Sequence, residues 1–162
     1  MTIDPKILKA LQIIYPELTN PGRKPINWAV TGSLGMVLHG MQLDINDIDI
    51  QTDKEGAYEI ERRLVKYLVK LVHFKATERI RSYFGVFEID GIKIESMGDV
   101  QYMLPDQKWD SPVALEACRD WVEYSDMHIP VITLEHEVDA YLKMGRTEKA
   151  QKLKDFLLKK YL

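Results

Sequence analysis

Residues 28–51 restrict the folding options of this chain more than any other stretch. Trp28-Ala29-Val30-Thr31 is a short β-prone run that stops at Gly32-Ser33, an apolar stretch continues to Gly40, and Asn46-Asp47-Ile48-Asp49-Ile50-Gln51 then alternates acid with isoleucine. The reading is strand, Gly-Ser corner, short helix, strand. Because side chains alternate faces along a strand, Asp47 and Asp49 project from one side of the sheet and Ile48 and Ile50 from the other. One face of that sheet must therefore carry core and the other must manage charge.

Two acids on one face repel each other unless water, a cation or basic groups compensate them. The simplest alternative is a solvated strand end; the chemically informative one is a divalent metal. A site made only of oxygen ligands favours Mg²⁺ or Mn²⁺ over zinc, and magnesium characteristically completes its shell with waters and a nucleotide's phosphates. The upstream Gly32-Ser33 corner points the same way, because glycine lets backbone amides approach a phosphate at the start of a helix. Glu95 is the third candidate acid. Asp90-Gly91 is the strongest hairpin signal in the chain, and the strand leaving it, Ile92-Lys93-Ile94-Glu95, puts Lys93 and Glu95 on one face. If that strand lies beside the one carrying Asp47 and Asp49, three carboxylates converge in a way that suits phosphoryl or nucleotidyl transfer. Asp90 and Asp99 are weaker rivals for the third place.

Around this centre the sequence predicts a helix opened by Asp4-Pro5 and ending near Tyr15-Pro16, then a loop over 16–26. After Thr52-Asp53, the spacing of Ile60, Leu64, Tyr67, Leu68 and Leu71 predicts a second long helix. Leu71–Phe74 and Tyr83–Ile89 read as strands. Residues 96–112, with Gly98, Pro105 and Pro112, read as loop. Trp121–Tyr124 reads as a strand or a helix end, Thr133 starts a helix through Leu134, Val138, Tyr141 and Leu142, and a last helix follows the break at Gly145. Glu135-His136-Glu137 with Asp139 reads as a polar first helical turn rather than as a metal cluster.

The expected fold is α/β in the α+β sense: a mixed sheet flanked by helices, with a C-terminal helical pair. With 162 residues, 46% hydrophobic and 29% charged, one domain is expected over 1–162, its core at about 26–96 and its C-terminal helical part at about 133–162. The net charge of −3 disfavours long nucleic acid as a partner. The charge is uneven. Residues 44–61 hold seven acids against Lys54 alone, whereas residues 140–162 hold seven bases (Lys143, Arg146, Lys149, Lys152, Lys154, Lys159, Lys160) against Glu148 and Asp155. That basic tail keeps a tRNA end open as an acceptor. A lone cysteine, Cys118, no apolar signal core near the start and no run of about 18 apolar residues lead to the expectation of a cytoplasmic protein without membrane partners.

Taken together, Gly32-Ser33, the short helix, Asp47-Ile48-Asp49-Ile50 and Ile94-Glu95 resemble the nucleotidyltransferase superfamily of polymerase-beta-like fold. The resemblance implies that Asp47, Asp49 and Glu95 are the catalytic and metal-holding acids, with Mg²⁺ (or Mn²⁺) as cofactor and Glu95 holding metal or serving as base. It implies that Gly32 and Ser33 contact the triphosphate of an NTP substrate. The segment Ala140–Arg146 followed by Lys149 is similar to the ending of small stand-alone members, the AbiEii-like group and the lincosamide and aminoglycoside nucleotidyltransferases, and extends the nucleotide-binding set to Lys143, Arg146 and Lys149. Relatives carry an arginine and a small hydroxyl residue shortly before the acid pair. Here Leu43-Asp44-Ile45-Asn46 stands instead, and Asp44 threatens to add a further negative charge.

The implied activity is transfer of an NMP from an NTP to an unidentified acceptor (small molecule, protein or tRNA end) with release of pyrophosphate. The competing reading is a catalytically silent nucleotide-binding or protein-interaction module of the same fold, related to toxin–antitoxin pairs. A two-metal nuclease would use similar acids without needing the Gly-Ser corner. The chain has no Walker loop, no dinucleotide fingerprint, no zinc-enzyme histidine pair and no nucleophile elbow.

Overall fold

A computed structural model describes residues 2–162. Its elements in chain order are α1 (Pro5–Thr19), β1 (Trp28–Thr31), α2 (Gly32–Leu38), β2 (Asp47–Thr52), α3 (Lys54–Arg63), β3 (Leu68–Ala76), β4 (Ile80–Ile89), β5 (Ile92–Tyr102), β6 (Arg119–Tyr124), β7 (Met127–Ile132), α4 (Leu134–Lys143) and α5 (Thr147–Lys160). The seven strands form one mixed sheet in the order β3-β4-β5-β2-β1-β7-β6. The expected α/β architecture with its C-terminal helical pair is present.

Local chemistry sets the helix starts. Asp4 caps α1 by accepting from Lys6 N–H at 2.8 Å, Asp53 caps α3 through Gly56 N–H at 2.7 Å, and Thr133 caps α4 through His136 N–H at 3.2 Å. Alternation on β2 does what the sequence requires. Ile48 and Ile50 are fully buried in a core with Ile7, Leu11 and Ile14 of α1 and Ile60 of α3, while Asp47 and Asp49 face the other way. On that other face α4 sets Ala140 against Val100 and Tyr102 of β5, and α5 packs on α4 through Leu134, Val138, Tyr141, Ala150 and Leu153. Burying these apolar faces on both sides of the sheet is what fixes its register. Arg63, itself buried, donates to the carbonyl oxygens of Glu17 (2.9 Å) and Lys24, tying α3 to the segment that leads into β1.

Three expectations are corrected. Helix α1 runs to Thr19 with Pro16 inside it, rather than stopping at Tyr15-Pro16. Helix α3 ends at Arg63; Tyr67 lies in a separate 3-10 turn, and Leu68 and Leu71 are on β3, an edge strand. Finally, β5 does not stop at Glu95 but continues through Gly98 to Tyr102. Gly98 is there because α3 crosses so closely that a Cβ would lie 2.6 Å from the Asp53 carbonyl oxygen. One residue later Asp99, at φ +51°, forms a β-bulge: Tyr83 pairs with Gly98 but Arg81 with Gln101. The extra residue turns Val100 and Tyr102 to the side occupied by Glu95 and Met97. Among the described residues no helix is long and apolar enough to cross a membrane.

Candidate active site

The site forms where β1, β2 and β5 lie side by side. In β1–β2 pairing Thr31 stands opposite Asp49, and in the parallel β2–β5 pairing Asp49 stands opposite Glu95 and Asp47 opposite Lys93. Hydrogen-bonding register thus brings together acids that are almost fifty residues apart. One ligand atom from each of Asp47, Asp49 and Glu95 lies within 4.8 Å of the other two, and all three residues are half-buried. An all-oxygen donor set of this size fits a hard divalent ion such as Mg²⁺ or Mn²⁺. Asp44 is not part of it: the residue is exposed on the loop between α2 and β2.

Burial, reinforced by Asp47 and Glu95 and opposed by Lys93, pushes the Asp49 carboxyl up to about 7. Among the described residues Lys93 is the one base paired with the triad, with Nζ 2.7 Å from Glu95 Oε1 and 3.9 Å from Asp47 Oδ2. Its exposed ammonium occupies carboxylates that a cation would use, so the two compete. Exposed pairs of this kind contribute about 0.2–1 kcal/mol. Lys93→Met is therefore expected to tighten Mn²⁺ binding by up to about fivefold in calorimetry of the nucleotide-free protein; unchanged affinity would show that the ammonium does not compete.

Gly32 closes the corner. Its φ is +68°, and a Cβ there would lie 2.5 Å from Asp49 Oδ2. The sequence thus uses glycine both for a left-handed backbone and for closeness to the central acid. Ser33 follows it in the first turn of α2, half-buried.

Above the triad opens a cleft of about 370 Å³. Gly32, Asp49 and Glu95 line one end, Phe84, Met97, Val100 and Tyr102 form its floor, and α4 contributes Glu137 and Tyr141. Of the three basic residues expected to bind nucleotide, Arg146 lines the cleft. Lys143 instead pairs with Asp110 at 3.1 Å, and Lys149 rests over the Tyr141 ring, 5.6 Å from its centroid.

Glu137 is the residue that sequence reasoning missed. It is 6% exposed, accepts a hydrogen bond from Thr31 Oγ1, and accepts another from Gly32 N–H. Burial pushes its carboxyl up to about 7 despite those two donors, which pull the other way. The available signal was its place on the stripe Leu134, Glu137, Tyr141: an acid on the apolar face of a helix needs a partner.

The sequence model of the aminoglycoside-2''-adenylyltransferase family matches residues 18–156. Among solved structures, TM1012 of Thermotoga maritima, itself proposed to be a nucleotidyltransferase, is 48% identical and superposes with a TM-score of 0.85 over 98% of this chain and 96% of that one. The lincosamide antibiotic adenylyltransferase LnuA, solved with lincomycin bound, is 14% identical with a TM-score of 0.54, covering 94% of this chain and 99% of its own. ANT(2'')-Ia, solved with adenylyl-2''-tobramycin, is 12% identical with a TM-score of 0.52, covering 95% and 99%. These last two are similarities of fold alone. A comparison with curated proteins found no match. A family match over most of the sequence, and a relative almost half identical along nearly its whole length, lead to one conclusion: this chain belongs to the aminoglycoside-2''-adenylyltransferase family and is a nucleotidyltransferase.

Proposed function

We propose that this protein, acting as one domain in the cytoplasm, moves a nucleoside monophosphate from an NTP to a hydroxyl of a small-molecule acceptor and releases pyrophosphate. The observation that carries this reading is the convergence of Asp47, Asp49 and Glu95 at the end of a cleft that begins at Gly32. LnuA and ANT(2'')-Ia, whose structures hold lincomycin and adenylyl-2''-tobramycin, support a small acceptor over a tRNA end.

Asp47, Asp49 and Glu95 would hold Mg²⁺, which when bound neutralises charge developing on the transferring phosphoryl group. The Gly32-Ser33 corner receives the β- and γ-phosphates, Gly32 by leaving room for them, since its N–H is given to Glu137, and Ser33 by donating to them, and Arg146 contributes a cation from the far wall. The acceptor oxygen bonds to the α-phosphorus as the bond from that phosphorus to the bridging oxygen of pyrophosphate breaks. The hydroxyl proton goes to Glu95, on the side of the triad away from Gly32. Glu137, by holding Thr31 and Gly32, keeps the corner in place during the reaction. Lys143 and Lys149 act indirectly, by bracing the α4–α5 junction around Arg146.

Incubation with α-labelled ATP, Mg²⁺ and a panel of hydroxyl acceptors, with pyrophosphate release as readout, tests this. Transfer by the natural sequence and none by the Asp47→Ala, Asp49→Ala double variant is the expected result. Nucleotide affinity that is undetectable, or unchanged in the double variant, would sink the proposal. Metal binding without turnover on any acceptor would instead favour the silent module.

A further inference from the structure

The charge in the cleft is one-sided once the triad is set aside. Its acidic lining residues are all engaged: Asp49 and Glu95 belong to the triad, and Glu137 is held by Thr31 and Gly32. Among the described residues no other carboxylate lines it. The lining cations Lys75 and Arg146, by contrast, have no acidic partner among the described residues. Arg81, the third, is occupied by Gln101 at 3.0 Å and by the Trp109 ring at 4.5 Å.

Strand order separates two halves of the cleft. Gly32 follows β1, Asp49 is on β2, Glu95 and Met97 on β5, Ser82 and Phe84 on β4, and Lys75 on β3, in that sequence across the sheet. In phosphoryl transfer the attacking and leaving oxygens lie roughly in line. With pyrophosphate leaving toward Gly32, attack comes from beyond Glu95, over β4 and β3. That half has an apolar floor in Met97 and Phe84, a hydroxyl in Ser82, and the Lys75 ammonium 4.3 Å from the Phe84 ring centroid.

We propose that this half of the cleft takes an acceptor alcohol that itself carries an anionic group, a phosphate or a carboxylate, held by Lys75. The inference rests on the nucleotidyl-transfer reading above and narrows its acceptor. A lysine over an aromatic ring at an exposed site gains less than it does from a charge-assisted hydrogen bond to an anion, so the ammonium exchanges one for the other. A polycationic acceptor finds no free carboxylate among the described lining residues and meets Lys75 as a like charge.

The test uses the full chain saturated with Mg²⁺ and α,β-methylene-ATP, which blocks the triphosphate site. Ribose 5-phosphate, gluconate, glucose and tobramycin are then titrated by calorimetry, with the Phe84 ring signals followed by NMR. The expected result is that ribose 5-phosphate or gluconate binds at least about tenfold tighter than glucose and tobramycin and moves the Phe84 signals. Whichever of the two binds tighter identifies the group as phosphate or carboxylate. Lys75→Met is expected to remove that preference and Lys75→Arg to keep it; the residue is exposed, so neither change threatens the fold. Tobramycin binding as tightly as the anionic probes, anionic binding unchanged in Lys75→Met, or no probe binding at all overturns the proposal while leaving nucleotidyl transfer standing. Failure of the ATP analogue to bind overturns both.

Discussion

Asp49→Asn is expected to slow nucleotidyl transfer on the order of a thousandfold and, in the metal-free protein, to raise stability near neutral pH. The activity loss follows from its position between Thr31 and Glu95 at the centre of the triad. Removing one ligand of a metal that supplies several kcal/mol of transition-state stabilisation costs on the order of a thousandfold in rate. The stability gain follows from the cost of a buried carboxylate beside two others. Its folded-state value is raised from 3.8 to about 7, so between those limits the native state binds more protons than the unfolded chain. Stability must then fall as pH rises through that window; the penalty is absent below about 4 and complete above about 7. Each raised group contributes at most about 1.4 kcal/mol per pH unit within it. Glu137, raised from 4.5 to about 7, acts in the same direction. Denaturant melts of the metal-free protein from pH 4 to 8 should show this decline. Asp49→Asn should remove its own share and leave that of Glu137, whereas an unchanged pH slope would show that Asp49 carries no burial penalty. Mg²⁺ should offset the decline in the natural sequence and do so less in the variant.

Gly32→Ala is the second large effect. Alanine at a φ of +68° costs about 1–2 kcal/mol in backbone strain alone. Its Cβ also claims the position 2.5 Å from Asp49 Oδ2, so the carboxylate must shift. A displacement of about 1 Å at a reacting centre costs on the order of a hundredfold in rate. We therefore expect a folded protein, less stable by about 1–3 kcal/mol in denaturant titration, with turnover reduced about a hundredfold. A variant with full turnover would mean that the corner and the triad are not mechanically linked.

The acid pair was legible because a strand makes a one-residue spacing equivalent to a shared face, and Glu95 because Asp90-Gly91 fixed the start of its strand. The true extent of that strand was hidden. Gly98 and Asp99 look like loop residues locally, but Gly98 answers to the Asp53 carbonyl of a crossing helix and Asp99 to a bulge, neither of which a local pattern encodes. Tyr67, Leu68 and Leu71 misled for a different reason. Tyr67 and Leu68 do pack against the core, but from a 3-10 turn and the start of an edge strand on which Val69, Leu71 and Phe74 remain exposed, so the helical spacing to Leu71 is accidental. Glu137 looked like an ordinary first-turn acid because its partner Thr31 lies 106 residues away. Among the basic residues of the tail, charge alone could not distinguish Arg146, in the cleft, from Lys143 and Lys149 beside it.

The bulge at Asp99 has an effect on how such an enzyme can change. Up to Gly98, β5 is locked in phase with β2, and any insertion there would carry Glu95 off the triad. Beyond Gly98 the phase is reset and β5 no longer pairs with β2. Val100 and Tyr102, buried against Ala140 of α4, can therefore be repacked together with that helix without a signal passing back to the acids. The strand works as two independently adjustable segments, one holding the acid triad in register and the other docking the helix that roofs the cleft.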